Sequence, residues 1–137
     1  MSYITQDELI KRFGENELIQ LTDREHLGDI NTEVLNEAIA DAAASVDSYL
    51  QQHYTLPLDQ ALIDASPLKR IAGDIVRYFL FENGAEEEVE KRYKDAIAWL
   101  RDIAAGKATL GSQDTNATNQ SRITTGCGVS NFDWEAY

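Results

Sequence analysis

The chain has 137 residues, 43% of them hydrophobic, with 24 acidic and 12 basic side chains and a formal net charge of −12. That length fits one domain able to bury a core without disulfides or metals. The charge repels nucleic-acid phosphates and anionic lipid, which disfavours general DNA binding or a membrane-surface role, although DNA can slide past such a surface without adhering. One cysteine, Cys127, rules out an internal disulfide and fits a reducing compartment. No stretch approaches the roughly 18–20 apolar residues of a membrane span. The start, MSYITQDELIKRF, carries acids and no apolar core, unlike a signal peptide. The expectation is a protein kept in the cell, or carried in a particle assembled there.

Thr5-Gln-Asp-Glu8 is a capping-box pattern and predicts a helix, with Leu9, Ile10 and Phe13 on its apolar face and Gly14 at its end. A second short helix is expected over 15–21, then a polar loop over 22–31 containing Gly28. Asn31 or Thr32 caps a long helix to about Tyr54. Its apolar positions, 34, 35, 38, 39, 42, 43, 46, 49 and 50, make one stripe at the helical repeat, mostly alanine in its middle third. Small side chains there predict close packing against another helix.

Pro57 cannot lie inside a helix and drives Leu56 towards an extended backbone, so 55–65 is a connection, with room for a helical turn over 59–63. Ser66-Pro67 then starts a helix to about Asn83. That helix is apolar on nearly every side towards its end, where Tyr78, Phe79, Leu80 and Phe81 cluster, so it should be central or covered by a partner subunit. Asn83-Gly84 breaks it. The last helix, about 85–105, opens on Glu86, Glu87, Glu88 and Glu90, which suits the positive end of a helix dipole, and Gly106 caps it. Its stripe is Val89, Tyr93, Ala96, Ile97, Leu100 and Ile103, with Trp99 nearby.

The reading is all-α: a bundle of four to five helices over 1–106, and a polar C-terminal arm over 107–137. The arm is rich in Thr, Ser, Asn, Gln and Gly and ends in Phe132-Asp-Trp134-Glu-Ala-Tyr137. Two readings stand side by side: a disordered terminus, or a polar spacer whose aromatic end docks on a neighbouring subunit.

Few constellations point to chemistry. Asp23, Glu25 and Asp29, with Gly28 at the sixth position, resemble a calcium loop. Position five is Leu27 and position twelve is Val34, neither of which supplies an oxygen ligand from its side chain, so an acidic loop shaped by Gly28 is the better account. Asp47 and Asp74 lie within apolar helices and each needs a partner. Arg77 and Arg70 are the natural partners of Asp74 by spacing. No histidine, glycine-rich loop or nucleophile motif accompanies these acids, and His26 and His53 sit at element ends. No cofactor is expected. Tyr78, Tyr93 and Trp99 read as core or interface residues. Lys91, Arg92 and Lys94 read as helical partners of the nearby glutamates rather than a phosphate patch.

Five stretches together resemble a known family: 4–23, 38–50 (AIADAAASVDSYL), 54–58 (YTLPL), 72–78 (AGDIVRY) and 89–100 (VEKRYKDAIAWL). They look like the small Mu-like bacteriophage and prophage proteins encoded among the head-morphogenesis genes, which are similar in helical layout to the head–tail connectors of tailed phages. The resemblance covers about residues 3–106. It implies a virion structural protein without catalysis. Such a protein would form a ring, commonly of twelve copies, between a portal protein and the tail, with only passing contact with DNA and none with membrane. It would be located in the virion, or in the host cytoplasm during assembly. Asp47, Tyr49, Leu50, Tyr54, Pro57, Asp74, Arg77, Tyr78, Arg92, Tyr93 and Trp99 would be scaffold or packing positions; Phe79, Phe81, Phe132 and Trp134 join them as interface candidates. The competing reading is a helical adaptor or regulatory module binding one host or phage protein as a monomer or dimer.

Overall fold

The computed structural model describes residues 2–110. Among them are six α-helices and no strand: α1 (Gln6–Phe13), α2 (Glu15–Thr22), α3 (Thr32–Leu50), α4 (Gln60–Ala65), α5 (Leu68–Leu80) and α6 (Glu87–Ala104). The all-helical expectation holds, and the connection over 55–65 carries a full short helix rather than a single turn.

Local chemistry sets the boundaries. Thr5 and Glu8 form the complete capping box at α1. Gly14, at φ 93°, separates α1 from α2 in a conformation that strains any residue with a Cβ. Asn31 caps α3, its side chain accepting from the backbone N–H groups of Glu33 and Val34. Nine residues earlier, Thr22 is fully buried; its hydroxyl donates to the Leu18 carbonyl and accepts from Asn31 N–H, so the end of α2 is tied to the start of α3. α3 stops at Leu50, four residues short of Tyr54, and a turn follows. The Leu56–Pro57 peptide is cis. α5 begins one residue later than the Ser-Pro signature predicts, with Pro67 itself in the capping position. It ends at Leu80 rather than Asn83, with Phe81 already extended. At the end of α6, Gly106 N–H bonds to the Ile103 carbonyl and Lys107 N–H to the Asp102 carbonyl, the paired closure of a Schellman motif around a left-handed glycine.

α5 is the central helix, packed against both α3 and α6, which also touch each other. Leu68, Ile71, Ala72, Ile75, Val76 and Leu80 supply its buried faces. The alanine stripe of α3 finds its close partners inside this chain: Ala38, Ala42, Ala43 and Val46 are buried where α3 meets α5 and α6. Small side chains there let helix axes approach and keep the interface dense. α1 packs on α2, and α4 lies on α5. Lys69 links three helices, its ammonium 2.6 Å from Glu8 of α1 and 2.9 Å from Asp64 of α4. Beyond α6 the composition changes at Lys107, yet Ala108 packs against the core and Leu110 is buried in it. No described helix is long and apolar enough to cross a membrane.

Candidate functional site

Asp47 and Asp74, the two acids expected within apolar helices, each have a structural partner. Asp47 accepts a hydrogen bond from the hydroxyl of Tyr3, which is buried at the N-terminal edge of the bundle. Burial, and then the adjacent Asp47 carboxylate, push the Tyr3 phenol well above its ordinary range, so it remains a donor. Tyr3 lay outside the sequence-derived candidates; its one signal is an aromatic just ahead of a capping box.

Asp74 is 4% exposed and pairs with Arg70 at 3.6 Å, one turn earlier on α5. Burial raises its carboxyl above the usual range, opposed by the guanidinium groups of Arg92, Arg70, Arg77 and Arg12. Arg77 is not its ion-pair partner. Two hydrogen bonds, 2.6 Å from Nε and 3.1 Å from an Nη, carry Arg77 to Glu17 on α2, and its guanidinium lies 4.9 Å from the centre of the Phe13 ring. The expected i,i+3 pairing loses because the forked guanidinium matches both oxygens of a carboxylate brought in by α2. Glu17, sixty residues away, had no local signal.

The loop over 23–31 is closed by its own backbone. Asp23 accepts from Leu27 N–H and Gly28 N–H, each at 2.7 Å, and these amides, Gly28 first, hold its carboxyl below the usual range. Gly28 is at φ 87°. Both oxygens of Asp23 therefore serve the turn. Asp23, Glu25 and Asp29 do not form a metal cluster; among the described residues no group of three or more His, Cys, Asp or Glu side chains is placed to hold a metal ion.

The aromatic candidates divide. Tyr78 of α5 and Tyr93 of α6 stack face to face, 3.9 Å between centroids and 8° between planes, with Phe79 tilted against both. Burial, then the neighbouring Tyr78, raise the Tyr93 phenol. Trp99, Tyr49 and Tyr54 are half-buried against the core. Tyr54 also accepts a hydrogen bond from Leu110 N–H at 3.0 Å, fastening the segment after α6 to the α3–α4 connection. His53 works beside it, donating from Nε2 to the Ala104 carbonyl at the end of α6. Pro57 is exposed at the cis turn and Phe81 is half-buried just past α5. On α6, Arg92 pairs with Glu88 and Lys94 with Glu90, while Lys91 takes Asp95. Cys127, Phe132 and Trp134 lie outside the described residues.

One concavity of about 330 Å³ runs along α3, lined by Asn36, Ile39, Ala40, Ala43 and Ala44 together with Ser2 and Asp47. Asp47, held by Tyr3, is one of the lining residues. The groove carries no histidine, cysteine or basic side chain.

The described residues form an all-helical body in which Asp23, Asp47 and Asp74 are engaged by other groups of the same chain. The chain belongs to the family described as "Bacteriophage Mu, Gp36", whose model matches residues 3–126. It is 33% identical over 119 residues to "Mu-like prophage FluMu protein gp36" of Haemophilus influenzae, covering 87% of this chain and 82% of that protein. It is 30% identical over 120 residues to "Gene product J" of Escherichia phage Mu, covering 87% and 83%. The family match reaches twenty residues past Gly106, where the resemblance read from sequence stops.

Proposed function

We propose that this protein is a non-enzymatic phage morphogenesis component, a head–tail connector that forms a ring between portal and tail. The observation that carries the reading is the use of its polar groups. Asp47, Arg77, Asp23, His53 and Tyr54 each fasten one segment of the body to another or close a turn. Membership of a Mu phage family supports the same reading. So does the surface: a rigid helix with an open groove and exposed carboxylates suits contact between protein subunits, and an acidic ring wall lets DNA pass without adhering.

Electron microscopy of the purified chain mixed with its portal protein tests this. A ring of density seated on the portal is expected. Bare portals, with the chain instead recovered in a one-to-one complex with another host or phage protein, would overturn the connector in favour of an adaptor.

A further inference from the structure

The outer face of α3 is acidic. α3 carries Glu33, Glu37, Asp41 and Asp47 and no lysine or arginine. Asp47 is engaged by Tyr3. The other three recur every fourth residue, so they form one ridge, and all three are exposed. None has a side-chain hydrogen bond or ion pair among the described residues. Like charges four apart destabilise a helix, and α6 avoids this by pairing its acids with bases one turn away. α3 leaves its ridge unneutralised. Alongside runs the groove of Asn36, Ala40 and Ala44, where a second surface can approach the backbone closely.

The complement is elsewhere on the same chain. Arg70 lies 3.6 Å from Asp74, the Arg12 side chain reaches the backbone of Gly73 beside it, and Arg92 adjoins Tyr93, which stacks on Tyr78 one turn further along α5, so these arginines border one region, as does Arg77. Arg77 is committed to Glu17 and largely covered. Arg12 is exposed and has no hydrogen bond or ion pair among the described residues. The Arg70 and Arg92 side chains remain 57% and 50% exposed, facing only the buried Asp74 and the outlying Glu88. A cationic patch on a chain of net charge −12 is the exception, and its electrostatic complement is an acidic surface.

We propose that a second copy of this chain covers these faces: the Arg12–Arg70–Arg92 patch of one copy seats on the acidic ridge and small-residue groove of α3 in the next. The contact is head to tail. A twofold contact of α3 on α3 would set like ridges opposite one another, whereas two different patches propagate and close into a ring when the rotation permits. This inference rests on the ring reading and names the surfaces that build it.

Sedimentation velocity of the full chain over a concentration series, at low and high salt, tests the contact. The wild type should self-associate, more weakly as salt rises. Glu37→Lys with Asp41→Lys, and separately Arg12→Glu with Arg92→Glu, should each weaken association at least about tenfold. An equimolar mixture of the two variants should restore it, since each reversed face then meets its opposite. The α3 variant should remain folded and no less heat-stable by circular dichroism, because it relieves repulsion along the helix. Should Arg12→Glu with Arg92→Glu unfold, Arg12→Gln with Arg92→Gln replaces it, with a smaller loss expected. Oligomers indifferent to every variant would overturn these surfaces while leaving the ring intact. A wild type that stays monomeric at every concentration would overturn the self-contact, and the portal experiment would then decide the connector separately. Salt-sensitive binding of a duplex DNA probe that is lost in the arginine variant would assign the patch to phosphate and overturn the proposal as well.

Discussion

The hydroxyl of Tyr3 donates to the carboxylate of Asp47, joining the N-terminal segment to α3 across 44 positions of sequence. Tyr3→Phe keeps the buried ring and removes the donor, leaving a half-buried carboxylate without that partner. The expected loss is about 1–2 kcal/mol in urea unfolding. Tyr3→Ala, which also opens a cavity, should cost about 3–5 kcal/mol. Equal losses for the two variants would mean that the hydrogen bond adds nothing beyond the packing.

The same phenol sets an alkaline limit. In the folded chain burial and Asp47 keep Tyr3 protonated, whereas in the unfolded chain it ionises near its ordinary value of about 10. A raised folded-state pKa gives stability that is complete below pH 10 and falls as the pH climbs past it, because the unfolded state then releases a proton the folded state retains. Unfolding measured from pH 8 to 12 should show this decline, and Tyr3→Phe should reduce its slope. Part should survive in the variant, because the Tyr93 phenol is raised too.

Asp74 works in the opposite sense. Its folded-state carboxyl is raised by burial, so at neutral pH its charge opposes folding, and the opposition is relieved as the pH falls through the folded pKa. Asp74→Asn should therefore be at least as stable as the wild type at pH 7, with the difference shrinking towards pH 4. A clear destabilisation at pH 7 would show that attraction to the four surrounding arginines outweighs burial.

Arg77 and Glu17 should behave as one unit. Arg77→Ala should cost about 2–3 kcal/mol, and Arg77→Lys more than about 1 kcal/mol, because an ammonium reproduces neither the two-pronged bond nor the packing on Phe13. A double-mutant cycle with Glu17→Gln measures the coupling. Additive losses would contradict the pairing.

Gly73 separates backbone propensity from packing. In an open helix, Gly→Ala gains up to about 1 kcal/mol. Here a Cβ would meet Ile4 Cδ1 at 3.2 Å, and Ile4 is 2% exposed with little room to move. Gly73→Ala should thus be neutral to destabilising by about 1–2 kcal/mol in thermal unfolding. A gain in stability would show that the N-terminal segment shifts freely over α5.

Much of the architecture was legible because its causes are local. Caps, glycine stops and apolar stripes act within one or two turns, so the chain order of helices and the inward faces of α3, α5 and α6 follow from the residues themselves. The i,i+4 pairs of α6 were legible for the same reason. Boundaries slipped where two local rules competed: Phe79, Leu80 and Phe81 continue an apolar pattern past the point at which α5 stops, and Tyr54 prolongs a stripe beyond the end of α3.

What the sequence determined alone was an acidic all-helical body, its capped elements, and membership of a phage family carried by dispersed motifs. What only the tertiary structure decided was the pairing of groups far apart in the chain: Tyr3 with Asp47, Glu17 with Arg77, Tyr54 with Leu110 N–H. Periodicity says which face of a helix is buried, but not which neighbour covers it. The partner depends on how helices cross and on which donor meets an acceptor once water is excluded. For that reason Arg77 left Asp74 for Glu17. For the same reason the bare acidic ridge of α3 becomes visible only when every nearby cation is seen to lie elsewhere.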